Sequence, residues 1–344
     1  MVARNPLVLI DGQLGELPAG DTVNGAVGGS GAPAGNTKEV QFNNAGTTAG
    51  AANVEIDNGD LCLGLNGSPV TPPADSIKLI ASRIGQQGSR LMPAAVDPQG
   101  KNYVLQPSLW RRKIGRWNAT SGTTGVPAID GMIVPTTAGA TSRTVSATNT
   151  LTRARRLGHV SSTTPGATCG HYSAATHFLL GNGEGLGGFF YSCRFGISDS
   201  SLQAVGRTFV GLSTATGAMT NVEPSTLTNV IGIGNIASNA NLSLFYGGSA
   251  SQAAIDLGSD FPVTTSDLYD VSFWAPSDED GVVYYCVERI GTSFVATGVL
   301  GPGTPGVTLP ANTTALGHRA WRTNNTAAAA VGLDISSIYT ETDW

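Results

Sequence analysis

Charge is scarce in this sequence. Only 12% of its 344 residues are Asp, Glu, Lys or Arg, about half the ~25% usual for globular domains. Four cysteines, Cys62, Cys169, Cys193 and Cys286, include no C-x-x-C pair, which excludes a disulfide-stapled scaffold and a zinc ribbon. No apolar run is long enough to cross a bilayer, so membrane insertion is not expected. The opening residues hold one basic side chain and the four-residue run Leu7-Val-Leu-Ile10, too short for a secretory signal core, so export by that route is not expected. Heptads are missing, which excludes a coiled coil. A repeat of fixed period is missing as well, which disfavours a solenoid or parallel β-helix.

What is present is glycine, 46 residues of it, with 18 prolines and a hydrophobic fraction of 40%. That fraction is too high for a disordered chain. Small polar residues, abundant turn formers and little charge favour a β-rich structural or adhesive protein over a helical enzyme. The net charge of −5 is unevenly spread: residues 1–82 carry 3 basic and 8 acidic side chains, 83–156 carry 11 and 2, and 157–344 carry 5 and 14. Within the Arg-rich segment 83–156, Arg111, Arg112, Lys113 and Arg116 form one cluster and Arg153, Arg155 and Arg156 another. A polyanion stripe is one reading. Because the basic block balances the acidic one that follows it, pairing within the chain or between copies is the favoured reading, and nucleic acid is not an expected partner.

The pattern predicts an all-β chain in three parts. Residues 1–36 form an N-terminal arm: an apolar stretch ending in Asp11-Gly12, then the Gly/Ala linker of residues 24–36. Residues 37–74 alternate over Glu39–Gly46, Ala52–Asp57 and Leu61–Leu65. Strands this short form no core alone and suit a slender shaft in which identical chains complete one another's sheets. Residues 75–344 hold all five Trp and all eight Tyr and read as a β-sandwich, jelly-roll-like head. Phe189 to Ile197 alternates as a half-buried strand. Val282–Ile290, apolar on both faces, reads as central, and Val331, Leu333, Ile335 and Tyr339 are placed on one face. Further strands are expected at 206–213, 229–234, 241–246 and 269–274. Pro224 marks a helical turn.

Chemistry-bearing patterns are few. Gly183-Glu-Gly-Leu-Gly-Gly188 matches G-x-G-x-x-G, but a strand follows it instead of a helix, so it is a glycine turn and no cofactor is expected. Cys169, His171 and His177 would point to one side of a strand and are weak candidate metal ligands lacking a fourth partner. Asp278-Glu-Asp-Gly281 lacks the alternating oxygen ligands of a calcium loop and reads as a hairpin turn. No nucleophile elbow or paired carboxylates stand out, so no enzymatic activity is expected. Tyr246, Trp274 and Trp321 are candidate receptor-binding residues, since amphipathic rings stack on sugar faces; a core role competes for each. Cys193 and Cys286 sit on predicted strands, and sequence leaves open whether they form a disulfide.

Three stretches resemble bacteriophage tail-fibre or receptor-binding proteins. They are the opening Pro6–Asp21, the Val40-Gln-Phe-Asn-Asn-Ala-Gly46 unit with Ala52–Asp57, and an ordered C-terminal set. That set comprises Leu186–Tyr191, Arg194–Asp199, Asn221–Asn229, Ile255–Gly258, Trp321–Asn324 and the ending Ile338–Trp344. The resemblance implies a homotrimer in the virion, assembled in the host cytoplasm, with its N-terminal end on other virion proteins of the baseplate, tail tip, collar or neck. Pro6, Leu7, Val8, Ile10, Leu14 and Leu17 are the attachment candidates. The head is implied to adhere to a bacterial surface glycan or surface protein. A purely structural collar, neck or head decoration fibre is the alternative, and a polysaccharide depolymerase spike a weaker one.

Overall fold

The computed structural model describes residues 140–301 and 303–342 throughout, with 77–83, 91–96, 102–104, 113–120 and the shorter strands named below; side chains are described at 77–81, 94–96, 114–120, 129, 140–301 and 303–342. The chain divides into two units, Met1–Gly67 and Ser68–Trp344. The first contains a hairpin of β1 (Leu7–Ile10) with β2 (Gln13–Glu16), and a three-stranded meander of β3 (Glu39–Asn44), β4 (Thr47–Asp57) and β5 (Asp60–Leu63). Leu7, Val8, Ile10 and Leu14 fall on that hairpin; their side chains, and Pro6 and Leu17 altogether, lie outside the described residues.

The second unit begins with a meander of β6 (Lys78–Arg83), β7 (Leu91–Val96) and β8 (Asn102–Val104), where Ile80, Ala94 and Val96 form a small apolar cluster. Then come β9 (Lys113–Asn118), the two-residue hairpin β10 (Ala128–Ile129) with β11 (Met132–Ile133), β12 (Thr136–Ala138) and β13 (Ala140–Ser142). A single helical turn, α1 (Thr150–Arg153), is capped by Asn149, whose side chain accepts from Thr152 N–H while Thr152 Oγ1 accepts from Asn149 N–H.

The remaining strands build the sandwich: β14 (Leu157–Val160), β15 (Thr168–Tyr172), β16 (Phe189–Ile197), β17 (Arg207–Ser213), β18 (Val230–Asn235), β19 (Ser243–Gly247), β20 (Ile255–Asp256), β21 (Tyr269–Ala275), β22 (Val283–Arg289), β23 (Val295–Leu300), β24 (Gly317–Thr323) and β25 (Gly332–Thr342). They form two antiparallel sheets. One is seven-stranded, in the order β12-β15-β24-β17-β18-β19-β20; the other is eight-stranded, β13-β14-β25-β16-β21-β22-β23, with β9 added to β25. The result is an all-β, jelly-roll-like sandwich. Inward residues of both sheets, among them Phe189, Tyr191, Phe195, Val210, Ile231, Leu244, Phe273, Val287 and Leu333, make one core. A second cluster, Phe209, Met219, Val230, Phe245 and Trp321, lies on the outer face of the seven-stranded sheet, where Val222 and Leu227 pack against it. The helical turn expected at Pro224 is the 3-10 turn Pro224–Thr226 within this covering segment.

Two strand readings need correction. β22 is the penultimate strand, flanked by the edge strand β23, and its Tyr285, Cys286 and Glu288 are half-buried instead of central. On β25 a register shift against β16, between Arg194 and Phe195, inserts an extra residue around Ser336. That bulge reverses the alternation, so Ile338 turns into the core and Tyr339 faces outward, opposite the face of Leu333 and Ile335.

Charge pairing runs between blocks of the sequence. Arg143 and Arg156, from the basic segment, converge on fully buried Asp334 at 3.1 and 2.8 Å. Arg153 and Arg155 remain exposed.

Candidate functional site

One end of the sandwich is made of loops. The chain enters β16 there through residues 181–188, leaves β21 through 276–282 and leaves β23 through 303–316. Their glycines have steric causes. Gly183, Gly185, Gly187 and Gly281 all have positive φ, and a Cβ on Gly187 would lie 2.3 Å from Leu180 O. Asn182 pairs with Asp280 in an isolated bridge, and its Oδ1 accepts from the N–H groups of Glu184 and Leu186 at 2.9 and 3.0 Å. Asn312 Nδ2 donates to Asp280 Oδ1 at 3.4 Å. Tyr284 donates its hydroxyl to Glu279 Oε2 at 2.7 Å, tethering the acidic turn to the sheet.

The outcome is a set of carboxylates and amides held by backbone geometry and displayed to solvent. Glu184, Asp278 and Asp280 are exposed, Asn182 and Asn312 half-exposed, and Leu186 lies beside them at 56% exposure. Carboxylate oxygens accept from hydroxyls, and amides both donate and accept. An apolar side chain next to such groups suits a ligand with alternating hydroxyl and C–H surface. The two sequence patterns set aside as turns, Gly183–Gly188 and Asp278–Gly281, are the ones that meet here. Their adjacency was not readable beforehand, because residues about a hundred positions apart are joined only by sheet order.

The candidate residues chosen for side-chain type fare differently. Trp274 is 2% exposed and stacks on Tyr284, ring centroids 5.6 Å apart. Trp321 is 1% exposed and stacks on Phe209 at 6.4 Å. Neither offers a ring face to a ligand, because each fills an apolar layer against its sheet. Tyr246 is half-buried and packs on the main core.

The metal reading is corrected by where strand β15 ends. Cys169 and His171 share its inward face, but the strand stops at Tyr172, and His177 lies in the following loop with its N–H donating to Leu316 O at 2.7 Å. His171 instead joins His159 from β14 and His318 from β24. His171 Nδ1 and His159 Nε2 are 2.8 Å apart, the His171 and His318 rings lie 4.8 Å apart, and His318 Nδ1 meets the Tyr191 hydroxyl at 2.7 Å. All three imidazoles are at most 1% exposed. Burial, and the neighbouring imidazoles after it, hold His171 well below its usual range and His318 down at about 3. Burial also pushes the Cys169 thiol up to about 12, so it is a protonated thiol that donates to Val331 O. Among the described residues no group of three or more His, Cys, Asp and Glu is placed to hold a metal ion.

Cys193 faces the core, whereas Cys286 pairs with Ser272 on the outward face two strands away. Ladder parity therefore keeps these two thiols apart, and no bridge joins them.

Two motifs that carry the phage-fibre resemblance meet at the other end of β16. Arg322 and Asp199, both fully buried, form a two-pronged ion pair at 2.8 and 2.6 Å, and Asn324 Nδ2 donates to the carbonyls of Ser162, Thr164 and Ala329. These residues join the two sheets and do not contribute to the loop end.

No family model and no curated protein matches the chain. Among solved structures it is similar to lectin II from Ulex europaeus, at 12% identity over 68% of this chain and 100% of that one, with a TM-score of 0.45. It is also similar to a peanut lectin with a bound 9mer peptide, at 11% identity over 67% of this chain and 97% of that one, TM-score 0.44. A protein of unknown function from Shewanella oneidensis MR-1 is similar at 14% identity over 67% of this chain and 85% of that one, TM-score 0.39.

Proposed function

We propose that this chain is a non-catalytic subunit of a bacteriophage fibre, and that the loop end of its sandwich adheres to a glycan on the host bacterial surface. The observation that carries the adhesive part is the rigid display of Asp280, Asn182, Asn312 and Glu184 beside exposed Leu186. Binding residues placed on loops over a fixed scaffold are the usual arrangement for recognition. The thin first unit, made of two- and three-stranded pieces, supports the trimeric part: such pieces need partners to bury their apolar faces. Three linked heads turn a weak saccharide contact into firm attachment.

The test uses the full chain, fluorescently labelled, on an array of bacterial surface polysaccharides and on the strains that carry them. Retention on a subset of saccharides is expected, with the double variant Asp280→Ala, Asn312→Ala reducing it at least tenfold while the circular dichroism stays unchanged. Failure to hold any saccharide or cell would overturn adhesion. Light scattering should give a mass that is a multiple of three chains; a mass indivisible by three would overturn the trimer.

A further inference from the structure

Every open sheet needs a device that stops its edges from pairing with other chains. Among the described residues, four of the five edges of the two sandwich sheets have one. β20 is two residues long and ends in Asp256, β12 and β13 are three residues each, and β9 carries Lys113 and Arg116. β23 is the exception. It has six residues, Val295–Leu300, and ends the eight-stranded sheet. It contains no charge and no proline, and no Asp, Glu, Lys or Arg occurs anywhere from Ile290 to His318.

The ladder fixes which main-chain groups of β23 are open. Arg289 N–H donates to Phe294 O at 3.1 Å, and the register runs Glu288↔Val295, Val287↔Ala296 and Cys286↔Thr297. In an antiparallel pair the bonded positions alternate. Ala296, Gly298 and Leu300 therefore bond to β22, and Val295, Thr297 and Val299 direct their N–H and C=O groups away from it. Among the described residues nothing meets those groups. Val295 is 50% exposed and Thr297 is exposed as well.

These open positions read Val, Thr, Val, symmetric about Thr297. We propose that β23 pairs antiparallel with the β23 of a second copy about a twofold axis through Thr297, joining two eight-stranded sheets into one. In that register Thr297 faces Thr297 of the copy, and Val295 faces Val299 in both directions. Each of the three facing pairs exchanges two N–H···O=C bonds, and Thr–Thr and β-branched pairs are favourable cross-strand neighbours. No charge is buried by the contact. It is independent of the saccharide reading and adds to the trimer instead of replacing it: a threefold fibre with twofold head contacts links one trimer to another.

The experiment measures the native mass of the full chain by light scattering across a concentration series, for wild type and for Thr297→Lys and Thr297→Pro. The Thr297 side chain is exposed and its N–H makes no bond inside the chain, so both variants should keep the wild-type circular dichroism and melting temperature. Lysine sets like charges face to face, and proline removes one of the shared donors. The expected result is a wild-type mass of an even number of chains that falls to half or less in both variants. A wild-type mass of an odd number of chains, or folded variants whose mass equals the wild type's, would overturn the proposal. Should the trimer be wrong and the edge contact right, the step is two chains to one; should the trimer be right and the edge contact wrong, three chains appear throughout.

Discussion

The side chains of Arg322 and Asp199 are both 0% exposed, and the carboxylate also accepts from the N–H groups of Gly332 and Gln203 at 2.8 and 3.0 Å. Removing the charge of Asp199 leaves a guanidinium buried without its counter-ion, which costs about 3–5 kcal/mol. Asp199→Asn is thus expected to lower the stability read by denaturant unfolding by roughly that amount. Arg194 and Asp270, at 2.6 Å, are a control: their side chains are 39% and 22% exposed. For Arg194→Ala the loss should stay at or below ~1 kcal/mol, since solvent screens the pair. Equal losses for the two variants would contradict the assignment. Sequence showed each of these side chains and none of the pairings, because Arg194 and Arg322 look alike until burial separates them.

Among the elements, β25 shows how one residue redirects a strand. The extra residue at Ser336 lets Leu333 and Ile335 face inward before the bulge and Ile338 after it, with Tyr339 outward, its hydroxyl donating to Glu341 at 2.9 Å. Deleting Ser336 removes the bulge and sets Ser337 directly after Ile335, so simple alternation keeps Ile338 inward beside Cys193 and Tyr339 outward. Losing one buried aliphatic side chain from the core costs about 2–5 kcal/mol; the deletion loses none, so the melting temperature should fall by much less than in Ile338→Ala, which empties that position. A fall as large as that of Ile338→Ala would contradict the assignment of Ser336 as the inserted residue. The positions of β16, β17, β18, β19 and β21 were legible, because their apolar residues alternate or run together between Gly, Pro and Asn turns. The bulge was not, since alternation carries no mark of an inserted residue, and α1 is too short for its periodicity to register against noise.

Across the whole molecule, both sheets close over a polar chain. His159 comes from the eight-stranded sheet, His171 and His318 from the seven-stranded one, and Tyr191 reaches His318 from the opposite layer. His171 and His318 are buried neutral. His171 is held below its ordinary value of 6.5 and His318 at about 3, so below pH 6.5 the unfolded chain binds protons that the folded chain does not. Stability should therefore be full above pH 6.5 and fall as the pH drops toward 3, by up to ~1.4 kcal/mol per pH unit for each histidine. Denaturant midpoints taken between pH 7 and pH 4 test this. A flat profile across that range would mean that the imidazoles are not held neutral by burial.

The sequence by itself determined the all-β character, the positions of most strands in the sandwich and the concentration of aromatic residues beyond residue 75. The first two follow from local alternation and turn chemistry, which neighbouring residues carry among themselves. Only the tertiary structure decided that Trp274 and Trp321 are core, that His171 belongs with His159 and His318 instead of His177, and that Asp280, Asn182 and Asn312 share one loop end. Those outcomes depend on which strands lie side by side and on which face a register shift exposes, and both are set by packing between segments far apart in the chain.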